Sequence, residues 1–241
     1  MSFDALAAAA RPTSAAAIAA GRPVVVLAPH PDDETLGCGA LLAEAFAGAG
    51  AHVVCVTDGA RSHPASRRYP AERLAAVRAA ELDEAVRRLG GTPRDVTRLG
   101  CPDCAVPAPC DADALVGAVA TLCERLGATT LVATSAADPH CDHVATEALA
   151  RAVQRRVPGL ALYLYAVWAR WRADADLSSL APLAGVRLPS GRWRTVRAHA
   201  LAAHRSQLGL VVTDDPTGFT LPAAMVDALM ASDDVLFEVP A

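Results

Sequence analysis

The sequence predicts an α/β fold: a doubly wound, mostly parallel β-sheet with helices on both faces, in one domain spanning 1–241. Three observations predict it. From Arg22 onwards, short β-branched runs alternate with longer Ala/Leu-rich stretches of helical period. The run Val24-Val25-Val26-Leu27-Ala28 is continuously apolar, as a strand covered on both faces must be. Gly-containing and polar turns separate the segments, which is the pattern of repeated βαβ units with right-handed crossovers.

The elements follow in order. A strand over 24–28 leads through a polar turn, 29–35, into a helix over 36–47 that ends at Gly48 and Gly50. A second strand, 52–57, stops at Asp58-Gly59, and an Arg/Pro-rich loop then enters an amphipathic helix over 71–89, closed by Gly90-Gly91. A short strand near 96–99, a Pro/Cys loop, a helix over 111–126 and a strand over 129–134 come next. The segment 143–156 reads as helix and 160–167 as strand. Beyond Trp168 the pattern weakens: 170–194 fits a hairpin or an irregular cap, and 195–208 is helical. This divides the domain into a core, 22–168, and a C-terminal cap with helices, 169–241. The Ala-rich stretch 1–20 reads as a helix. Asp4 precedes its apolar run, Arg11 interrupts it and no basic segment leads it, so a secretory signal is not indicated and a cytoplasmic location is expected.

With 53% apolar and 20% charged residues the chain can bury a full core, which excludes disorder as a description of the whole. No apolar run reaches the roughly 20 residues needed to span a bilayer. A formal net charge of −4 offers no attraction to a nucleic-acid backbone. All 22 basic residues are Arg, so chemistry that depends on a lysine is excluded, whether a P-loop, a Schiff base or a Ser-Lys dyad. Seven cysteines, an odd number, with Cys55 and Cys123 inside apolar segments, fit reduced thiols better than a disulfide framework.

Two polar clusters carry the chemistry. Pro29-His30-Pro31-Asp32-Asp33-Glu34 follows the first strand, and Asp138-Pro139-His140-Cys141-Asp142-His143 follows the strand ending at Thr134. In a parallel sheet both emerge at the carboxyl edge, where such folds bind ligands. A catalytic zinc site takes three protein ligands and leaves a position for water. His30, Asp33 and His143 would supply a neutral, anionic, neutral set that lowers the pKa of bound water. Asp32 would be left to take the water proton and His140 to meet developing negative charge. Plainer roles exist for each. Asp32-Asp33-Glu34 would also oppose a helix dipole, with Thr35 as a cap, and Asp142 would also cap the helix starting at His143. Gly37-Cys38-Gly39 with Asp58 about 20 residues on is a partial dinucleotide fingerprint, but its third glycine position is Leu42 and it starts well past the strand end. Small residues that let a helix approach the sheet account for it more simply.

The segment 24–34 (VVVLAPHPDDE), Thr57-Asp58-Gly59, Arg78-Ala-Ala-Glu81, His140-Cys-Asp-His143 and His204-Arg-Ser-Gln207 resemble the PIG-L/LmbE-like family of zinc-dependent N-deacetylases. The similarity runs from about Arg22 to Gln207. It implies a Rossmann-like α/β domain, metal ligands His30, Asp33 and His143, Asp32 as general base, His140 as the transition-state histidine and Asp142 as the residue that orients and charges it. It also implies zinc as cofactor, with iron as the alternative ion such His/Asp sites accept. The implied substrate is a small N-acetylglucosaminyl-type conjugate, such as a glucosaminyl-inositol, a glucosaminyl-malate or an aminosugar antibiotic intermediate. Cys141 departs from the family, which usually has Pro there. The Cys101-Pro-Asp-Cys104 loop with Cys110 also departs, and the sequence assigns it no role.

Arg61, Arg67, Arg68, Arg73 and Arg78 follow the second strand end and could form a basic lip for an anionic substrate group, Arg78 foremost because its family counterpart lies near the ligand. The competing reading is a solvated helix face on which Arg73 and Arg78 pair with Glu72 and Glu81. Trp168, Trp171 and Trp193 offer either a face for a sugar ring or core packing. Two other classes stay open: a nucleotide- or methyl-donor-binding Rossmann enzyme, and a non-catalytic sugar-binding member of the family. A homo-oligomer is compatible with the sequence.

Overall fold

The computed structural model describes residues 2–108 and 112–240. In chain order the elements are α1 (Phe3–Ala9), β1 (Arg11–Pro12), α2 (Ala15–Ile18), β2 (Val24–Ala28), α3 (Asp33–Phe46), β3 (Ala51–Thr57), α4 (Ala71–Arg88) and β4 (Val96–Cys101). They continue with α5 (Asp113–Leu126), β5 (Thr130–Thr134), α6 (Cys141–Arg156), β6 (Ala161–Tyr165), α7 (Trp168–Trp171), β7 (Ala184–Leu188), α8 (Arg194–Leu201), α9 (Ala223–Ala231) and β8 (Asp234–Val239). One mixed sheet of 8 strands, in the order β1-β7-β8-β6-β5-β2-β3-β4, runs through the molecule. Among the described residues, only the pairs of β8 with β6 and β7 are antiparallel.

The continuous apolar run of β2 is explained by burial on both sides. Val24 and Val26 enter one core with residues of α3, α8 and α9, while Val25 and Leu27 enter the other with residues of α1, α5 and α6. This is the alternation of a pleated strand between two helical layers. Close approach is needed where α3 crosses the sheet: a Cβ on Gly37 would lie 2.1 Å from the Tyr165 ring of β6. The Gly37-Cys38-Gly39 string therefore serves helix-to-sheet packing.

Three segments differ from expectation. The stretch 1–20 is two short helices flanking β1 rather than one helix. Pro12 cannot donate a helical hydrogen bond, Arg11 and Pro12 pair with Val186 and Arg187 of β7, and Ser14 caps α2 by accepting from Ala17 N. Within 170–194, β7 is no local hairpin; its antiparallel partner is β8, near the C-terminus. Helix α8 stops at Leu201 instead of reaching 208, and 202–208 turns inward, burying His204, Ser206 and Gln207. The helix expected over 111–126 is seen from Asp113, and its first residue lies outside the described residues, as does Cys110. No helix among the described residues is long and apolar enough to cross a membrane.

Candidate active site

β2 and β5 are adjacent, central and parallel, so the loops that leave their carboxyl ends share one edge of the sheet. After β2 the chain is held by Thr57, whose N–H and Oγ1 both donate to Pro29 O at 2.9 and 2.8 Å. Asp32 sits at the N-cap of α3 with φ 150° and ψ −27°, a conformation rarely adopted by a residue with a Cβ. Two contacts fix it: Asp32 N donates to Glu34 Oε2 (3.0 Å), and Arg78 Nη2, which also donates to Pro31 O (2.9 Å), lies 3.3 Å from Asp32 Oδ1. Glu34 is buried and already engaged, accepting from Thr35 Oγ1 and approached by His204 Nε2 at 3.2 Å.

After β5, His140 caps α6, its Nδ1 accepting from Asp142 N at 3.2 Å. Asp138, fully buried, accepts from Val167 N and Ala169 N at 2.9 and 2.7 Å. Its Oδ2 also lies 2.9 Å from His143 Nδ1. That contact commits Nδ1 to donate and leaves Nε2 facing the first cluster.

The two loops meet at Asp33. Its Oδ2 is 3.1 Å from His30 Nδ1 and 3.4 Å from His143 Nε2. One donor atom from each of His30, His140 and His143 lies within 4.8 Å of the other two. His143 Nε2 is buried and has no hydrogen-bond partner among the described residues. An orphaned imidazole nitrogen, oriented by a carboxylate on its other side, facing a carboxylate oxygen and a second imidazole, fits a divalent-cation site. The electrostatics fit too. Burial should lower the pKa of His143, yet Asp33 and Asp138 push it up to about 9. Burial also opposes charge on His30, and Asp103, Asp142 and Asp33 raise it well above the ordinary imidazole value. Burial pushes the Asp33 carboxyl up, and His143 and His30 outweigh it and hold it well below the usual range. The cluster is thus built to hold positive charge.

Asp32 behaves differently from Asp33. Burial raises its carboxyl to about 6 against the opposing charge of Arg78. Two adjacent carboxyls with separated pKa values are suited to different tasks. Burial and the neighbouring His30 and His143 lower the pKa of His140, and with Nδ1 accepting, the neutral ring carries its proton on Nε2.

The site opens into a cavity of about 390 Å³. His30, Asp32, Asp33, His140 and Arg78 line it, while Asp142 and His143 lie buried behind. Asp142 carries a different set of contacts from that expected. Its Oδ2 is 3.0 Å from His30 Nε2 and accepts from Cys104 N at 2.8 Å, and its contact with His140 runs through the main-chain N–H. Arg78 is not on a solvated face; it is buried, donating to Gly59 O at 2.8 Å, and Glu81 accepts from Ser206 N and Oγ instead. A Cβ on Gly59, at φ +62°, would fall 2.6 Å from that guanidinium. Arg61 reaches the cavity; Arg67, Arg68 and Arg73 are exposed. Of the tryptophans, Trp168 forms a wall with Phe219, Trp171 is exposed, and Trp193 packs on the core.

Sequence reasoning missed Asp103, 3.5 Å from His30 Nε2, and the supporting roles of Asp138, Glu34 and His204. A signal existed for Asp138, an acidic residue five positions before His143 at a strand end. None existed for Asp103, which reaches the site only because β4 flanks β3.

The family model described as PIG-L, GlcNAc-PI de-N-acetylase, matches residues 25–154, more than half of the chain. The fold is similar to that of N,N'-diacetylchitobiose deacetylase from Pyrococcus horikoshii, with 17% identity, a TM-score of 0.65 and coverage of 91% of this chain and 84% of that one. The A40926 pseudoaglycone deacetylase Dbv21 gives 21% identity and a TM-score of 0.65, covering 91% and 97%. A conserved protein of Thermus thermophilus, TT1542, shares 27% identity at a TM-score of 0.58, covering 78% and 81%. No curated protein matches the chain in sequence. On the strength of that family match, the chain belongs to the PIG-L family of hydrolytic N-deacetylases.

Proposed function

We propose that this protein is a zinc-dependent N-deacetylase that removes the acetyl group from a small N-acetylglucosaminyl-type conjugate, with His30, Asp33 and His143 holding the ion and Asp32 acting as general base. We read 1–241 as one such domain working in the cytoplasm, with neither nucleic acid nor membrane as partner. The observation that carries the reading is the convergence of His30 Nδ1 and the unpartnered His143 Nε2 on Asp33 Oδ2, with Asp32 beside them.

A zinc ion bound there supplies Lewis acidity towards the acetyl carbonyl and lowers the pKa of water. The remaining work falls to the chain. Asp32, aimed by Arg78 and raised by burial to about 6, accepts a proton from the attacking water near neutrality. The hydroxide adds to the carbonyl carbon. His140 Nε2–H donates to the oxyanion that develops, and main-chain Asp142 N, by donating to Nδ1, keeps the proton on the outer nitrogen. Protonated Asp32 then returns its proton to the departing amine as the C–N bond breaks, leaving acetate and a free amine. Arg61 and the Trp168–Phe219 wall are placed to bind the sugar and its substituent. A cavity of about 390 Å³ suits a small glycoside.

The test is acetate release from a panel of N-acetylated glucosaminides, before and after chelation. Release that chelation abolishes and added zinc restores is expected. Release indifferent to chelation, or none from any glucosaminide, would overturn the reading.

A further inference from the structure

Beside the cavity, which Cys104 and His140 line, a second donor set stands next to the first. Cys104, on the loop after β4, and Cys141, the first residue of α6, are both exposed free thiols. One donor atom from each of Cys104, His140, Cys141 and Asp142 lies within 4.8 Å of all the others. The arrangement is not accidental loop drift. Cys104 adopts φ +61°, uncommon for a residue with a side chain, and its N–H is pinned to Asp142 Oδ2 at 2.8 Å. Each thiol points its proton at a carboxylate: Cys104 Sγ at Asp103 Oδ1 (3.4 Å) and Cys141 Sγ at Asp142 Oδ1 (3.8 Å).

We infer that Cys104, Cys141, His140 and Asp142 form a second, inhibitory site for a soft divalent cation such as zinc or cadmium. Two sulfurs, one imidazole nitrogen and one carboxylate oxygen are all zinc donors, and four of them complete a tetrahedral shell with no position left for water. Spacings within 4.8 Å need only a small contraction to share one ion. Binding replaces the two thiol protons by one dication, so the net charge of the cluster does not change. His140 is also the oxyanion donor of the catalytic site, and Asp142 Oδ2 lies 3.0 Å from His30 Nε2 of the first set. An ion held there draws the His140 ring away from the oxyanion position and narrows the cavity wall that Cys104 and His140 form. The inhibitory consequence rests on the deacetylase reading; the binding does not.

The experiment titrates cadmium into zinc-loaded protein, following bound metal, ultraviolet sulfur-to-cadmium charge-transfer absorption and acetate release, in wild type, Cys104→Ser and Cys141→Ser. In wild type a second equivalent binds with the thiolate band, and turnover falls on the order of a hundredfold, the loss that follows removal of one oxyanion donor. Both variants keep their first equivalent, lack the band and lose the inhibition relative to their own uninhibited rates. Absence of the band in wild type, or an undiminished band in the Cys104→Ser/Cys141→Ser double variant, overturns the site. A thiolate band in protein that hydrolyses no acetamide leaves the site standing and counts against the deacetylase reading alone.

Discussion

His143 Nδ1 lies 2.9 Å from Asp138 Oδ2, and both side chains are completely buried. Because the same carboxylate also receives Val167 N and Ala169 N, one residue orients a metal-ligand candidate and ties the end of β6 to it. Asparagine at 138 would offer one acceptor oxygen to three donors. Asp138→Asn is therefore expected to weaken metal retention about 10–100-fold, the usual consequence of losing the partner behind a ligating imidazole. Competition with a chelator measures it, and unchanged affinity would show that His143 does not need this support.

His204 and Glu34 form a buried pair, with His204 Nε2 3.2 Å from Glu34 Oε1. Burial opposes charge on His204, but Glu34, with Asp32 and Glu81, raises its pKa above the ordinary value. A pKa raised on folding stabilises the native state fully below the unfolded imidazole value of about 6.5, and that stabilisation fades as pH rises through the folded value. His204→Gln should cost about 3–5 kcal/mol near pH 6, as breaking a buried pair does, and measurably less at an alkaline pH. Denaturant midpoints at the two pH values check this. A penalty independent of pH would mean that His204 is neutral in the fold.

Arg78 holds the Asp32 carboxyl down while burial raises it. Asp32 must be ionised to accept a proton, so the acid limb of kcat/KM follows its pKa. Arg78→Gln removes the opposing charge and should move that limb to higher pH by about one unit or more. A variant with reduced kcat but an unmoved limb would make Arg78 a substrate contact or a packing residue, without influence on Asp32.

Much of this was legible in the sequence because the relevant signals are local. The apolar run of β2 and the Gly-closed α4 identify their own structure, and a polar hexapeptide after each of two central strands places His30, Asp33 and His143 on one edge. What was illegible depends on distant pairing. β8 follows α9 after two residues, outside the regular βα alternation, and its place in the sheet comes from its antiparallel partners β6 and β7. The 202–208 segment has helical composition, yet His204 and Ser206 find Glu34 and Glu81, and these contacts turn the chain inward. Asp142 was expected on the His140 ring by resemblance; its carboxylate is taken by His30 and Cys104 N, partners supplied by other loops.

The general base is tested most directly by the acetate-release rate of Asp32→Asn carrying one equivalent of zinc. The variant keeps the three metal donors and removes only the proton acceptor. Metal bound as in wild type and a rate lower by about 10²–10⁴-fold are expected. A fully loaded Asp32→Asn protein that turns over at close to the wild-type rate would contradict the assignment of Asp32 and the mechanism built on it.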